Sequence, residues 1–525
     1  MYGYEDDSLA HGSRSQSWQR EASTSSDHRA ILPKDHQLSR ELTTPQKDPE
    51  IQNFSNEDEF RCFCFYREEV APQLSYFSQS IWQTLLLQAG QDQDFIRHAI
   101  IAIGGLSRST KLKGLQSTGE ESPSDFNAAC LYEFALLQYN QFLAGIKTHI
   151  AVATRDQGRR LAMISCLLVV CIESMQLHHQ SALLHSQQGF KLIEELKNDN
   201  ETPDQWNSGG ISPSAPNIIE DELLQQFDRM ELQVLALYDT RMGEQHQILK
   251  DEGNLSVRNM PEAFMNIDEA RRHLELIMRR TFHFMAYAQA DKSALLNFKE
   301  VLEDAYPKEL SRALVIPNGL QVQQEMYAAE NRRWSKAFEP LFRSSLKDIN
   351  HLDAFQVLMM NIHSLNTTMR LNGHLSSTEL IWDSFTPQME NLVEMCRTVL
   401  NHPHADIVFG EGVFTFDMGL IYPLLTPAIN CRDRRIRRDA LDLLGTRPWR
   451  EAQWMSLVCA DVARFKIETE EDGVGTEYIP EWARVRLTGL DVIEKEWKGT
   501  LHGIRGVGDS AVHIQSVRNW SGMGD

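Results

Sequence analysis

Residues 161–172 read LAMISCLLVVCI, a run in which only Ser165 is not apolar. A membrane helix needs about 20 apolar residues, so this run is too short to cross a bilayer, and it is too uniformly apolar for a surface. It predicts a helix buried between partners on every side. The flanking sequence supplies such partners. Ala129, Tyr132, Leu136, Tyr139, Leu143 and Ile146 step by three and four, which predicts a helix with one continuous apolar stripe. Ala182, Gly189, Leu192 and Leu196 form a second stripe whose small residues let two helices approach closely. Upstream, Phe95, Ala99, Ala102, Ile103 and Leu106 repeat at helical spacing, and the pair Gly104-Gly105 predicts the end of that helix.

The pattern extends outward from there. Aromatic residues become dense at Phe60, Phe63, Phe65 and Tyr66, and Ala71-Pro72 is expected to break the first run. Residues 197–217 (KNDNETPDQWNSGGISPSAPN) lack periodicity and predict a loop or linker. Helical spacing resumes near Ile219, is strong at Phe355, Leu358, Met359, Ile362, Leu365 and Met369, and returns over residues 390–400. No sustained alternation predicts a sheet. The expected fold class is all-α, with stacked antiparallel helical hairpins forming a solenoid-like body over residues 53–500. Residues 1–52 hold eight serines and few apolar residues, which predicts a disordered tail. The Gly-rich residues 501–525 predict a flexible C-terminal tail.

The 525 residues are 42% hydrophobic and 24% charged, a globular balance, with a net charge of −21. A phosphate backbone repels such a chain on average, so any nucleic-acid contact must be local. Eight cysteines without a Cys-x-x-Cys ladder point to a reducing compartment. The opening MYGYEDDSLAHGSRSQ is acidic where a secretion signal is basic and then apolar, and no membrane segment is expected.

Motifs for chemistry are sparse. Gly503, Gly506 and Gly508 have the wrong spacing for a phosphate loop, and no Walker A lysine, His-Glu-x-x-His or Gly-x-Ser-x-Gly is present. His178, His179 and His185 could suggest a helical metal site, with 178 and 185 on one face, but they lack the i, i+4 spacing and the carboxylate or thiolate partners. Cys62 and Cys64 offer two thiols where structural zinc needs four ligands. His98 beside its apolar stripe suits a core or capping role. No catalytic, cofactor-binding or metal residue is assigned, no cofactor is expected, and an enzyme is not expected. The densest charge feature is Arg432, Arg434, Arg435, Arg437 and Arg438, ahead of Ala440, Leu441, Leu443 and Leu444. It could bind phosphate, an import receptor or a charged partner. In so acidic a chain the expectation is intramolecular pairing with carboxylates such as Asp433, Asp439, Glu468, Glu470 and Glu471.

Three blocks carry a resemblance. FRCFCFYREEVAPQLSYFSQSIWQTLLLQAGQDQDFIRHAIIAIGGL, then ALLQYNQFLAGI and LAMISCLLVVCIESMQLHHQSALLHSQQGFKLIEEL, and finally FTFDMGLIYPLLTPAINCRDRRIRRDALDLLGTRPWREAQWMSLVCADVARFKIETEED resemble the regulatory domain of fungal zinc-cluster transcription factors. The matching positions are Pro72, Leu74, Phe77, Trp82, His98 and Ala102, then Tyr139, Cys166, Glu173, His185 and Gly189. In the last block they are Phe416, Asp417, Cys431 to Arg434, Arg437, Arg438, Arg450, Glu451 and Trp454. The resemblance implies a helical regulatory and interaction module without catalytic residues. Family members usually begin with six closely spaced cysteines holding two zinc ions, and residues 1–50 contain no cysteine. Autonomous sequence-specific DNA binding is therefore not expected. The implied function is a nuclear transcription regulator acting through protein partners, as a homodimer, as a heterodimer with related factors or with co-regulators, and controlling a fungal secondary-metabolite gene cluster. The alternative is a helical protein-interaction scaffold without a transcriptional role.

Overall fold

A computed structural model describes residues 54–77, 80–117, 127–200, 219–237, 239, 241–295, 318–376, 378–410, 412–493, 496–506 and 511–520. The tail expected over residues 1–52 lies outside the described residues. Residues 54–525 form one compact unit. The fold is all-α with two small sheets.

Helix α1 (Glu57–Phe65) starts at Asn56, whose side chain accepts from the Glu59 amide and so satisfies one of the orphan N–H groups of the first turn. It continues through a π-helical stretch, Tyr66–Val70, into α2 (Ala71–Leu74). Pro72 does not break the run. It lies in the last four residues of this helical run, directly after the π-helical stretch, and the run ends at Leu74. A second π-helical stretch, Ile81–Leu85, leads into α3 (Leu86–Asp92). Helix α4 (Asp94–Ser117) passes straight through Gly104-Gly105, which corrects the expected terminus. A Cβ at Gly104 would lie 2.1 Å from the Cys62 carbonyl oxygen, and one at Gly105 would lie 3.0 Å from Ala135 Cβ. The glycines are there to let α1 and the next helix close on α4.

That next helix, α5 (Ala128–Val152), buries Ala128, Leu131, Ala135, Gln138, Tyr139 and Phe142. The expected stripe is rotated off the core, and Ala129, Tyr132 and Leu143 are exposed. The true stripe includes a polar residue because its amide is satisfied: Gln138 donates to Glu59 at 3.2 Å and accepts from His98 Nδ1 at 2.6 Å. Helix α6 (Arg155–Met175) is buried along almost all of its second half, as its composition predicts. Gly189 of α7 (His179–Asn200) provides the close approach expected of it, since a Cβ there would lie 2.4 Å from the Phe227 ring and 2.9 Å from Cys166 Sγ. Helix α7 takes up the first residues of the expected 197–217 linker; residues 201–217 lie outside the described residues.

The second half comprises α8 (Asp221–Leu237), α9 (Gly243–Leu249), α10 (Asn254–Arg258), α11 (Ile267–Leu295), α12 (Asn318–Ser345), α13 (Leu352–His374), α14 (Thr386–Leu400), α15 (Ala405–Phe409), α16 (Ile421–Asn430), α17 (Arg434–Gly445) and α18 (Ser456–Glu471). Two large cores result. One gathers around α3 to α8 and Trp82, the other around α11 to α14 and α16 to α18. Consecutive helices pair as hairpins, notably α4 with α5, α6 with α7 and α12 with α13. The chain also closes on itself: the Phe416 amide donates to the Leu74 carbonyl at 2.9 Å. In a pure solenoid each repeat touches only its sequence neighbours. Here the return strand β1 (Phe414–Thr415) lies parallel to β2 (Arg450–Glu451), which pairs antiparallel with β3 (Trp454–Met455).

The C-terminal region corrects two expectations. Strands β4 (Val485–Ile493), β5 (Lys498–Arg505) and β6 (Val512–Asn519) form an antiparallel meander where no sheet and, over residues 501–525, a flexible tail were expected. Of the glycines expected to loosen the tail, Gly503 is a site of close packing, since a Cβ there would lie 2.8 Å from Val485 Cγ1. A Cβ at Gly499, just before the expected tail, would lie 2.4 Å from the Trp520 ring, and Trp520 is buried with its indole N–H donating to Asp461 at 2.9 Å.

Candidate functional site

Residues 413–420 thread between the two cores, and their polar groups are captured by both. Phe414 and Phe416 belong to the first core, Met418 and Leu420 to the second. Between them the buried Asp417 carboxylate accepts from Ser75 Oγ at 2.6 Å and lies 3.1 Å from Arg229 Nε. Gln233 Nε2 donates to the Phe416 carbonyl. The Met418 carbonyl accepts from the Tyr76 hydroxyl at 2.5 Å and from His363 Nε2 at 3.1 Å. Burial brings His363 down to about 4, so its ring is neutral and the contact fixes the Nε2–H tautomer.

Glu451 closes the seam. Its carboxylate, fully buried, accepts from the amides of Gly419 at 2.9 Å, Leu420 at 2.7 Å and Ile421 at 3.1 Å, and from Trp449 Nε1 at 2.8 Å. It caps the N-terminus of α16, where the helix dipole favours an anion. Burial nevertheless pushes its carboxyl up to about 7 against those four donors. Gly419 must be glycine for this, because a Cβ would lie 2.4 Å from Glu451 Oε1. Next door, Arg450 donates to the Met175 carbonyl at the end of α6, at 3.0 Å, and lies over the Phe414 ring.

The arginine cluster is a second polar centre. Asp433 is the N-cap of α17, accepting from the amides of Arg435 and Ile436 at 2.9 and 3.1 Å. Arg437 points inward and donates to Glu470 at 2.6 Å, with neither side chain exposed. Glu470 also accepts from the Val485 amide at 2.8 Å and lies 3.6 Å from Lys466 and 3.7 Å from Arg484. Arg432 pairs with Asp383, Arg435 with Glu390 and Asp439, and Arg438 with Glu471, while Arg434 lies 3.8 Å from Glu471 and donates to the Val474 carbonyl. Each of the five arginines thus has a carboxylate partner, as expected. Asp433 serves as a cap instead, and no ion pair to Glu468 occurs among the described residues.

A third centre pins α7, α8, α9 and α11 together. Arg279 pairs with Asp228 and lies 3.4 Å from Glu252, which also pairs with Lys197. Arg241 pairs with Glu231 and with Asp239 at 2.5 Å, Glu231 lies 3.4 Å from His283 Nε2, and His283 Nδ1 meets His246 Nδ1 at 2.9 Å. Burial would raise Glu252, but Arg279 and Lys197 outweigh it and bring the carboxyl down to about 2. For Asp228 burial wins and pushes it up to about 6.

The residues that offered chemistry in the sequence are scattered. Cys62 is buried against α4 and α5, where burial raises its thiol to about 11, and Cys64 lies beside Arg67. His178 precedes α7 rather than lying on it, behind Leu177 in a left-handed turn, and its Nδ1 meets Glu173 at 2.8 Å. It therefore shares no helix face with His185. Burial lowers His179 to about 4. Gly503 lies within β5, Gly506 ends it, and Gly508 lies outside the described residues. Among the described residues no three His, Cys, Asp or Glu side chains converge as a metal site. A cavity of about 20 Å³ beside Phe416, reached by Ser174 and Gln233, has room for roughly a single water. The polar groups described here make their contacts within the fold.

Phe416, Asp417, Arg450 and Glu451 were marked by the resemblance, but Ser75, Tyr76, Arg229 and His363 were missed. One signal for the third centre was available: Arg279 lies within the apolar-flanked stretch LIMRRTFHF, where a buried charge needs carboxylate partners.

No family model matches the chain, and no solved structure matches it. Among curated proteins it is 22% identical, over 524 aligned residues, to the Aspercryptin biosynthesis cluster-specific transcription regulator atnN of Emericella nidulans, covering 84% of this chain and 79% of that protein. The chain is thus similar over most of its length to a fungal transcription regulator.

Proposed function

We propose that this chain is a nuclear transcription regulator that works through protein partners and governs a fungal biosynthetic gene cluster. The observation that carries the reading is the alignment with the atnN regulator along four-fifths of both chains. The blocks that resemble the zinc-cluster regulatory domain contain the buried Asp417, Arg437 and Glu451, groups that brace a fold. Protein contacts, not catalysis, are what such a braced helical body offers. Sequence-specific DNA contact is assigned to a partner, because Arg435 and Arg438, the most exposed arginines of the cluster, are held by carboxylates.

The test is to fuse the chain to an unrelated DNA-binding domain and read reporters with low and high basal output in a fungal host, with nuclear accumulation scored by a fluorescent tag. A change in either reporter, lost on Asp417→Ala, supports the reading. An accumulated nuclear fusion that moves neither reporter favours the scaffold alternative.

A further inference from the structure

One face of helix α5 packs on α4 and α6. The opposite face carries Leu137 at 62% and Leu143 at 39% exposure, and only Glu133 and Lys147 are charged among its exposed residues. In a chain that is 24% charged, that is a sparsely charged solvent face for a 25-residue helix.

The order of residues along the uncovered line says what covers it. The positions opposite the core run Ala129, Glu133, Asn140, Lys147 and Ala151, and they are symmetric about Asn140. We propose that α5 packs antiparallel against α5 of a second copy of this chain, with the two-fold axis at Asn140. That axis places Glu133 level with Lys147 of the other copy, twice, Ala129 level with Ala151, Leu137 level with Leu143, and Asn140 beside itself. The isologous arrangement is the one a two-fold demands. A parallel two-fold pairing would set Glu133 against Glu133 and Lys147 against Lys147, and a shifted antiparallel one would leave both charges without an opposite partner. The small residues Ala129, Ala144 and Ala151 permit close approach, and a helix of this length, about 37 Å, is long enough to seat a modest interface. This surface is independent of the transcriptional reading and uses none of the groups in the seam.

The test is sedimentation of the purified full chain. The wild type dimerises with concentration. Glu133→Lys and Lys147→Glu each weaken the dimer by about tenfold or more, since each replaces two attractions by two repulsions, and the double swap Glu133→Lys/Lys147→Glu restores it. In a second arm, Asn140→Cys forms an intermolecular disulfide under mild oxidation, because only a residue on the axis meets its own copy within the roughly 7 Å limit between Cα atoms. The native exposed Cys130, level with Ile150 of the other copy, does not. A chain that stays monomeric at about 100 µM, far above the range in which a specific dimer forms, overturns the proposal. So does a double swap no tighter than the single ones, together with no cross-link in the Asn140→Cys variant. These readouts measure association alone, so they stand apart from any reporter result.

Discussion

The guanidinium of Arg437 reaches the Glu470 carboxylate at 2.6 Å with both side chains sealed from water. It is the point where α17 is tied to α18, and through the Val485 amide on Glu470 to the C-terminal sheet. Four neighbouring arginines make their pairs nearer the surface, which sets up a contrast in energy.

Stranding one member of a sealed pair as a buried charge costs about 3–5 kcal/mol. Glu470→Ala, which takes a carboxylate from Lys466 and Arg484 as well, is expected to lose about that much in urea unfolding, and Arg437→Ala less, because Glu470 keeps those two cations. Arg435→Ala, on an exposed pair, leaves the midpoint unchanged. Equal effects at 435 and 437 would show that the cluster acts as a surface patch.

The seam has its own sealed charge. Asp417→Ala removes the nearer carboxylate of Arg229, leaving Glu275 at 3.8 Å, and removes the hydrogen bond given by Ser75 Oγ, with an expected loss of about 3 kcal/mol. Amide exchange of residues 74–76 and 414–420 should accelerate before that of α14. Uniform acceleration across the chain would mean that the seam is not a separate joint.

Acid should act in part through the third centre, alongside His179 and His363, which burial also lowers to about 4. Burial first, then the neighbouring His283, lowers His246 to about 4 from an ordinary 6.5. The unfolded chain therefore binds the extra proton first as pH falls. Stability from this neutral contact is complete above pH 6.5 and is lost progressively from there toward pH 4, on the order of 3 kcal/mol. Glu252, depressed to about 2, adds a further loss between pH 4.5 and 2. A His246→Gln variant is expected to flatten the slope across the upper window relative to wild type while leaving the lower window intact. Parallel curves for the two proteins would remove the histidine contact as the cause.

Two glycines of α4 separate packing from propensity. Gly104→Ala drives a methyl group to within 2.1 Å of the Cys62 carbonyl and should destabilise the chain by about 2 kcal/mol or more. Gly114→Ala meets nothing within 4 Å and should stabilise it by about 0.5–1 kcal/mol through helix propensity alone. Melting temperatures moving in the same direction would sink the distinction.

The helices were legible because periods of three and four report burial directly, and the arginine pairing was legible because so acidic a chain places carboxylates such as Glu470 and Glu471 close behind the arginines in sequence. What failed was information carried by glycine and by polar residues inside a stripe. Gly104-Gly105 and Gly499 mark close approach, but in sequence they look the same as chain breaks. Gln138 belongs to the buried face of α5 only because Glu59 and His98 complete it, so a count of apolar residues rotated the helix away from its core. The seam was hidden for a different reason: Ser75 and Asp417 meet across 342 residues, and no local pattern carries a contact that distant.

That distance also governs how the protein comes into being. Phe414 and Phe416 fill the core that Trp82 and α6 begin, so the first half of the nascent chain leaves the ribosome with its interior unfinished. At about 5–20 residues per second, roughly 10–35 seconds of synthesis separate the end of α8 from the completing aromatics. During that interval the first core lacks two of its rings, and a message truncated before residue 414 yields a product that never receives them.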